Sequence, residues 1–169
     1  MKHTINTVTS IFAPILLILT FVVTSAPKVN ASEDVDIPFQ KIEHKNVERA
    51  DILKKFFNKY NSPLANHVEV FIKVADKYDM DYRLLPAISC VESTCGKFYI
   101  KNTYNTFGWG SGLIDYDSFE ESIESVGEGL HKGYLSKGLT SVDKIARVYN
   151  PPNSANWASK VKYFMSQIN

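Results

Sequence analysis

The sequence predicts a mainly α-helical (α+β) fold: several packed helices with one small β-hairpin excursion. Three observations lead there. Most segments after residue 46 repeat their apolar residues at helical spacing. Capping residues and prolines stand where those segments begin and end. A single stretch, 97–116, breaks the pattern and is rich in Tyr, Thr, Asn and Gly.

The chain has 169 residues, 44% hydrophobic and 22% charged, the balance of one globular domain with a full core. Residues 1–31 read as a signal peptide. Lys2 and His3 give a basic start, an apolar run extends from Val8 to Val23, and Val29-Asn30-Ala31 is similar to a cleavage site. The other reading is a retained anchor, which the shortness of the run and Pro14 disfavour. Both readings put the domain outside the cytoplasmic membrane, secreted or in the cell envelope. Residues 32–45 are polar and read as a linker, which leaves 46–169 as the domain.

Loss of Lys2 and Lys28 with the signal leaves 17 basic against 18 acidic residues, a net charge of −1. That balance argues against nucleic acid as a partner and leaves the N-terminal segment as the only expected membrane contact. A monomer is expected.

The helices follow in order. Val47, Ala50, Leu53, Phe56, Phe57 and Tyr60 form an apolar stripe. Ser62-Pro63 is a cap followed by proline at the first helical position, opening a helix to about Tyr78 with Leu64, Val68, Phe71, Ile72 and Ala75 on one face. Asp81 is a plausible cap for Tyr82–Ser93, where Pro86 lies near the first turn. Thr106–Trp109 and Leu113–Tyr116 are the expected strands, joined by a turn at Ser111-Gly112. Ser118 and Glu121 form a capping box for a helix with Phe119, Ile123, Val126 and Leu130 in a stripe, in which Gly127 and Gly129 weaken the helix or permit close packing. Thr140 or Ser141 caps a short helix to Tyr149, stopped by Pro151-Pro152. Ser154 or Asn156 opens the last, with Trp157, Val161, Phe164, Met165 and Ile168 inward.

The two cysteines, Cys90 and Cys95, have two readings. On a continuous helix their separation is too wide for a disulfide. If the helix ends near Ser93 and the chain folds back, the bond becomes possible in an oxidising compartment.

Glu92 is the main candidate for chemistry. Leu85, Ile88 and Glu92 share one helix face, so the carboxyl continues an apolar stripe. Lost hydration raises a carboxyl pKa, and the negative end of the helix dipole pushes the same way. Such a group holds a proton for delivery to a leaving oxygen. A last-turn glutamate pointing into solvent is the plain alternative.

The surrounding segments carry a resemblance. Glu92-Ser93, at the end of an apolar helix before a glycine turn, resembles the Glu-Ser signature of bacterial lytic transglycosylases and goose-type lysozymes. It also resembles the catalytic helix of glycoside hydrolase family 73, the bacterial glucosaminidases. Asn105-Thr106-Phe107-Gly108-Trp109 is similar to that family's Asn-x-Phe-Gly segment, and Tyr116-Asp117-Ser118-Phe119-Glu120-Glu121-Ser122 to its Tyr-x-Ser-x-x-Glu-Ser segment. Ala146-Arg147-Val148-Tyr149-Asn150 resembles the Ala-x-Tyr-Asn segment of lytic transglycosylases, with Trp157-Ala158-Ser159-Lys160-Val161 downstream. The resemblance runs from about Asp79 to Met165 and implies a lysozyme-like fold. It also implies a peptidoglycan hydrolase that cleaves between N-acetylated amino sugars, with Glu92 as general acid. The transglycosylases' Gly-Leu-Met-Gln stretch is absent, which favours hydrolysis.

Glycosidases ordinarily use two carboxylates. Asp115 and Asp117 lie on or near the expected hairpin, which would face Glu92. Asp115 is the candidate base, whereas Asp117 fits better as a helix cap. The sugar's own N-acetyl group is the alternative to any second acid. Tyr149 is expected to hold that group or to stabilise the oxocarbenium-like state. The expected sugar contacts are Ser93, Tyr104, Asn105, Phe107, Gly108, Trp109, Asn150 and Trp157, with Phe107 and Trp157 equally suited to the core. The other class of function is a non-catalytic peptidoglycan-binding domain on the same scaffold.

No cofactor or metal is expected. Four scattered histidines and one cysteine pair lack zinc-ligand spacing, and Asp79-Met80-Asp81 lacks the rest of a calcium loop. A cysteine peptidase pairing Cys90 or Cys95 with His131 has no local signature to support it.

Overall fold

The computed structural model describes residues 36–169, with side chains from Glu43 onward. The expected signal peptide lies outside the described residues. Six α-helices are connected by loops and short 3₁₀ turns: α1 (Asp36–Lys59), α2 (Val68–Lys77), α3 (Leu84–Ser93), α4 (Phe119–Gly133), α5 (Val142–Tyr149) and α6 (Ser154–Ser166). Among the described residues no helix is long and apolar enough to cross a membrane.

The chain is mainly helical, but the β-hairpin is absent: no strand occurs among the described residues. Residues 109–112 instead form a 3₁₀ turn, and Gly108, Gly110, Ser111 and Gly112 all have left-handed backbones. Such dihedrals cannot continue a strand. The Asn105 side chain also takes up backbone groups that a ladder needs, bonding to Trp109 N and O and to the Ile114 carbonyl. Tyr116 N donates instead to the carbonyl of Thr103, which lies outside the expected strands, at 2.9 Å.

Two further expectations are corrected. α1 begins at Asp36, inside the stretch read as a linker. Val47, read as part of the stripe, is 60% exposed, whereas Leu53 and Phe57 are fully buried. The charged segment before Ala50 is held by Arg49, which reaches across to α2 and bonds both oxygens of Asp76, at 2.8 and 2.7 Å.

Asp81 does not cap α3 as expected: the helix starts only at Leu84 after an uncapped Arg83, and the Asp81 carboxylate accepts from Arg83 N in the preceding turn. Three serine caps do form. The Ser62 hydroxyl accepts from Leu64 N, although Pro63–Asn66 is a 3₁₀ turn and α2 starts only at Val68. Ser118 caps α4 by accepting from Glu121 N, and the Glu121 carboxylate accepts in return from Asp117 N. Ser141, not Thr140, caps α5. Phe71, Ile88, Ile123, Val126, Leu130, Ile145 and Val161 meet in one core. α3 and α5 pack on α6, and α2 packs on α4. Gly127 permits the second of these contacts, since a Cβ there would fall 2.2 Å from Val74 Cγ1.

α3 ends as the disulfide reading requires. Thr94, Cys95 and Gly96 have positive φ, the chain turns back, and Cys90 is bonded to Cys95. Gly96 suits its place twice over: its φ is +76°, and a Cβ would press on Leu64 at 2.9 Å. The Ser62 hydroxyl donates to the Cys95 carbonyl at 2.6 Å, tying this turn to the 3₁₀ turn that precedes α2.

Candidate active site

Glu92 occupies the last turn of α3, where that helix lies on α6. This packing brings the Trp157 indole to the carboxyl, and Nε1 donates to Oε1 at 2.7 Å. Trp157 is 3% exposed, so the bond is made from inside the core. Glu92 itself is exposed. Its carboxyl nevertheless has a raised pKa, with burial as the larger cause and the indole bond opposing it. These facts fit a carboxyl set into a wall with one open side.

The open side faces a cleft of about 400 Å³ lined by Glu92, Phe107, Gly108, Trp109, Gly110, Ser111, Tyr134, Tyr149 and Asn150. Glu92 is the only carboxylate on that lining among the described residues. A cavity of about 430 Å³ elsewhere, beside Met80, Leu84 and His131, does not include it.

Tyr149 closes α5 over the same wall. Its ring stacks on Trp157 with centroids 4.7 Å apart, and its hydroxyl donates to the Phe107 carbonyl at 3.2 Å. Burial, then the nearby Glu92 charge, push its pKa far up, so the phenol stays neutral and serves as a hydrogen-bonding group. Trp109 lies near Tyr149, at 5.9 Å between centroids, and rests on Gly129 of α4. A Cβ at Gly129 would come within 2.5 Å of Trp109 Cζ2, so the residue that weakens the helix also makes room for the indole.

The other expected site residues divide into those that face the cleft and those that build it. Gly108 and Asn150 line it. Phe107 contributes its carbonyl while its ring is 1% exposed and packs in the core. Ser93 is buried and already occupied. Its hydroxyl lies 2.7 Å from the Thr106 carbonyl and 2.9 Å from that of Ser89, and it accepts from Gly96 N. Asn105 is 4% exposed, and all of its amide contacts close the loop 105–114. Neither lines the cleft: both shape it from behind.

Tyr104 turns away and packs edge-on against Phe119 at 5.1 Å. Asp115 is exposed and outside the cleft lining, so the base expected there is not brought to Glu92. Without a hairpin, nothing aims residue 115 across the groove. Asp117 also stays outside, at the entry to α4.

Tyr134 was not among the expected residues, yet it lines the cleft, and burial raises its pKa. Its signal was present: it stands four places after Leu130 and so extends the α4 stripe toward the site. Gly110 and Ser111 reach the cleft because their left-handed turn bulges toward it, which spacing alone does not reveal.

No protein-family model matches this chain, and neither does any curated protein.

Proposed function

We propose that this protein is an exported peptidoglycan hydrolase that cleaves glycosidic bonds between N-acetylated amino sugars, with Glu92 as general acid. The observation that carries this reading is a carboxyl of raised pKa at the edge of an open cleft, with one oxygen fixed by a buried indole. Tyr134, Tyr149 and Trp109 give the cleft the aromatic surfaces that suit sugar C–H faces. The Cys90–Cys95 disulfide fits an oxidising compartment outside the cytoplasm.

A lining with one carboxylate suits nucleophilic attack by the substrate's own acetamido oxygen. Tyr149 lines the same wall as a neutral phenol, and in this reading its hydroxyl steadies that group or the charge developing on the sugar ring. The same single carboxylate also favours the second reading, a glycan-binding domain without turnover.

Clearing of a purified peptidoglycan suspension separates the two. The parent protein is expected to clear it, and Glu92→Gln to be slower by about a hundredfold or more. Mass spectrometry of the released fragments names the sugar at the new reducing end. A Glu92→Gln protein that clears at the parent rate removes the reading, and a parent protein that binds walls without releasing fragments leaves only the binding domain.

A further inference from the structure

The two oxygens of Glu92 have different surroundings. Oε1 accepts from Trp157 Nε1 at 2.7 Å. Oε2 lies toward Gly108: a Cβ built on that residue would be 3.7 Å from Oε2, with no other atom within 4 Å beyond its chain neighbours. Gly108 is exposed and lines the cleft, so the space beside Oε2 is open to a ligand.

The geometry points to Trp157 as a positioning residue that directs the transferable proton of Glu92 to Oε2 and so places the scissile bond over Gly108. This inference rests on the proposed role of Glu92 as acid. It goes further by naming the oxygen that acts, the residue that selects it and the point in the cleft where the bond breaks.

An indole N–H only donates. The oxygen that faces it is therefore an acceptor in both protonation states of the carboxyl. When the carboxyl is protonated, the carbonyl-type oxygen takes the indole bond and the hydroxyl is the other oxygen. The reaction then balances as follows. The bond between the anomeric carbon and the bridging oxygen breaks, and its electron pair goes to that oxygen. The Oε2 proton caps the oxygen, and the acetamido oxygen of the same sugar fills the vacancy at carbon. Water later opens the resulting ring. Glu92 is a carboxylate until the attacking water gives one proton back to Oε2, which restores the acid, and its Oε1 keeps the same indole bond throughout.

Gly108 has a second part in this. Its φ of +63° brings backbone close to the acid, and its missing side chain leaves the room that the bridging oxygen needs. The stack of Trp157 on Tyr149 holds the indole plane, so the donor does not swing away as the proton leaves.

The test uses Trp157→Phe, which keeps an aromatic ring against Tyr149 and removes the donor. The Glu92 carboxyl is followed by carbon-13 NMR across pH in parent and variant. Loss of a hydrogen bond to the charged form moves the titration up by about one pH unit. The alkaline limb of the rate profile moves with it, and kcat falls about tenfold at little change in KM. Identical titrations in parent and variant overturn the inference. Because the titration needs no turnover, this failure is distinct from failure of the acid role, which Glu92→Gln reports. If Trp157→Phe does not fold, benzothienylalanine at position 157, equal in shape and without the N–H, replaces it. Gly108→Ala tests the choice of oxygen. It is expected to lower kcat/KM about tenfold or more with the Glu92 titration in place, and unchanged turnover overturns the assignment to Oε2.

Discussion

Gly129→Ala is the most informative change outside the cleft. Alanine at a helix interior ordinarily gains about 1 kcal/mol over glycine. Here the new methyl would lie 2.5 Å from Trp109 Cζ2 and 3.1 Å from Cε2, well inside contact distance. The flat indole has to shift, and overpacking of this kind costs about 1–3 kcal/mol. The net effect is a loss of about 0–2 kcal/mol. Gly133→Ala, in the same helix with nothing within 4 Å of its Cβ, supplies the control. That change is expected to be neutral or to gain up to about 1 kcal/mol. Calorimetry of the two proteins should show Gly129→Ala melting lower by roughly 5 °C. The displaced Trp109 moves into or across the cleft, so wall clearing should fall as well and indole fluorescence should change. A Gly129→Ala protein as stable and as active as Gly133→Ala refutes the argument that this glycine exists to seat Trp109.

Three more outcomes follow from the same site. Replacing both Cys90 and Cys95 by Ser should cost about 2 kcal/mol in denaturant unfolding, because the bond closes only a short loop, and it should reduce activity by loosening the turn after Glu92; a variant with unchanged stability contradicts this. Asp115→Asn should leave wall clearing within about twofold of the parent, since residue 115 does not line the cleft; a large loss would return the second-carboxylate mechanism. Glu92 has a folded-state pKa above its unfolded value, so its ionisation costs stability as pH rises through the folded pKa, and the cost is absent below the unfolded one. Glu92→Gln should therefore melt higher than the parent at neutral pH, and the difference should vanish in acid.

The helices were legible because their signals are local. Ser118 with Glu121 and the α3 stripe each act within a turn or two of chain, and the structure uses both as read; Ser62 with Pro63 caps only a 3₁₀ turn ahead of α2. Glu92 was legible for the same reason, since its place on an apolar face needs only helical geometry. The loop 97–116 was not. Its conformation is set by one side chain, Asn105, reaching Trp109 and Ile114, and by left-handed residues that include Ser111, a type that rarely adopts such dihedrals. Two short segments with apolar residues on either side of Ser111-Gly112 imitate a hairpin, and local residue preference carries no sign of the amide that replaces the ladder. The site follows suit: without a hairpin, Asp115 does not stand opposite Glu92 and lies outside the cleft lining.

The expected sugar contacts thus hold two kinds of residue that resemblance does not separate. Ser93 and Asn105 lie in the quoted motifs, yet every hydrogen bond either makes is spent within the fold. Their work is geometric. Ser93 ties the end of α3 to Thr106, and Asn105 fixes Trp109 and the turn that follows Gly108. Together they set the distance between the acid and the open backbone beside it. Trp157 belongs with them, because it acts on Glu92 from within the core and not from the cleft. The groups left facing the groove are few: one carboxyl, a neutral phenol, Tyr134, Trp109, Asn150 and the turn from Gly108 to Ser111. A site built this way depends less on how many polar groups it displays than on how firmly one carboxyl is held. Substitutions at Ser93, Asn105 or Trp157 should therefore damage turnover more than they damage glycan affinity.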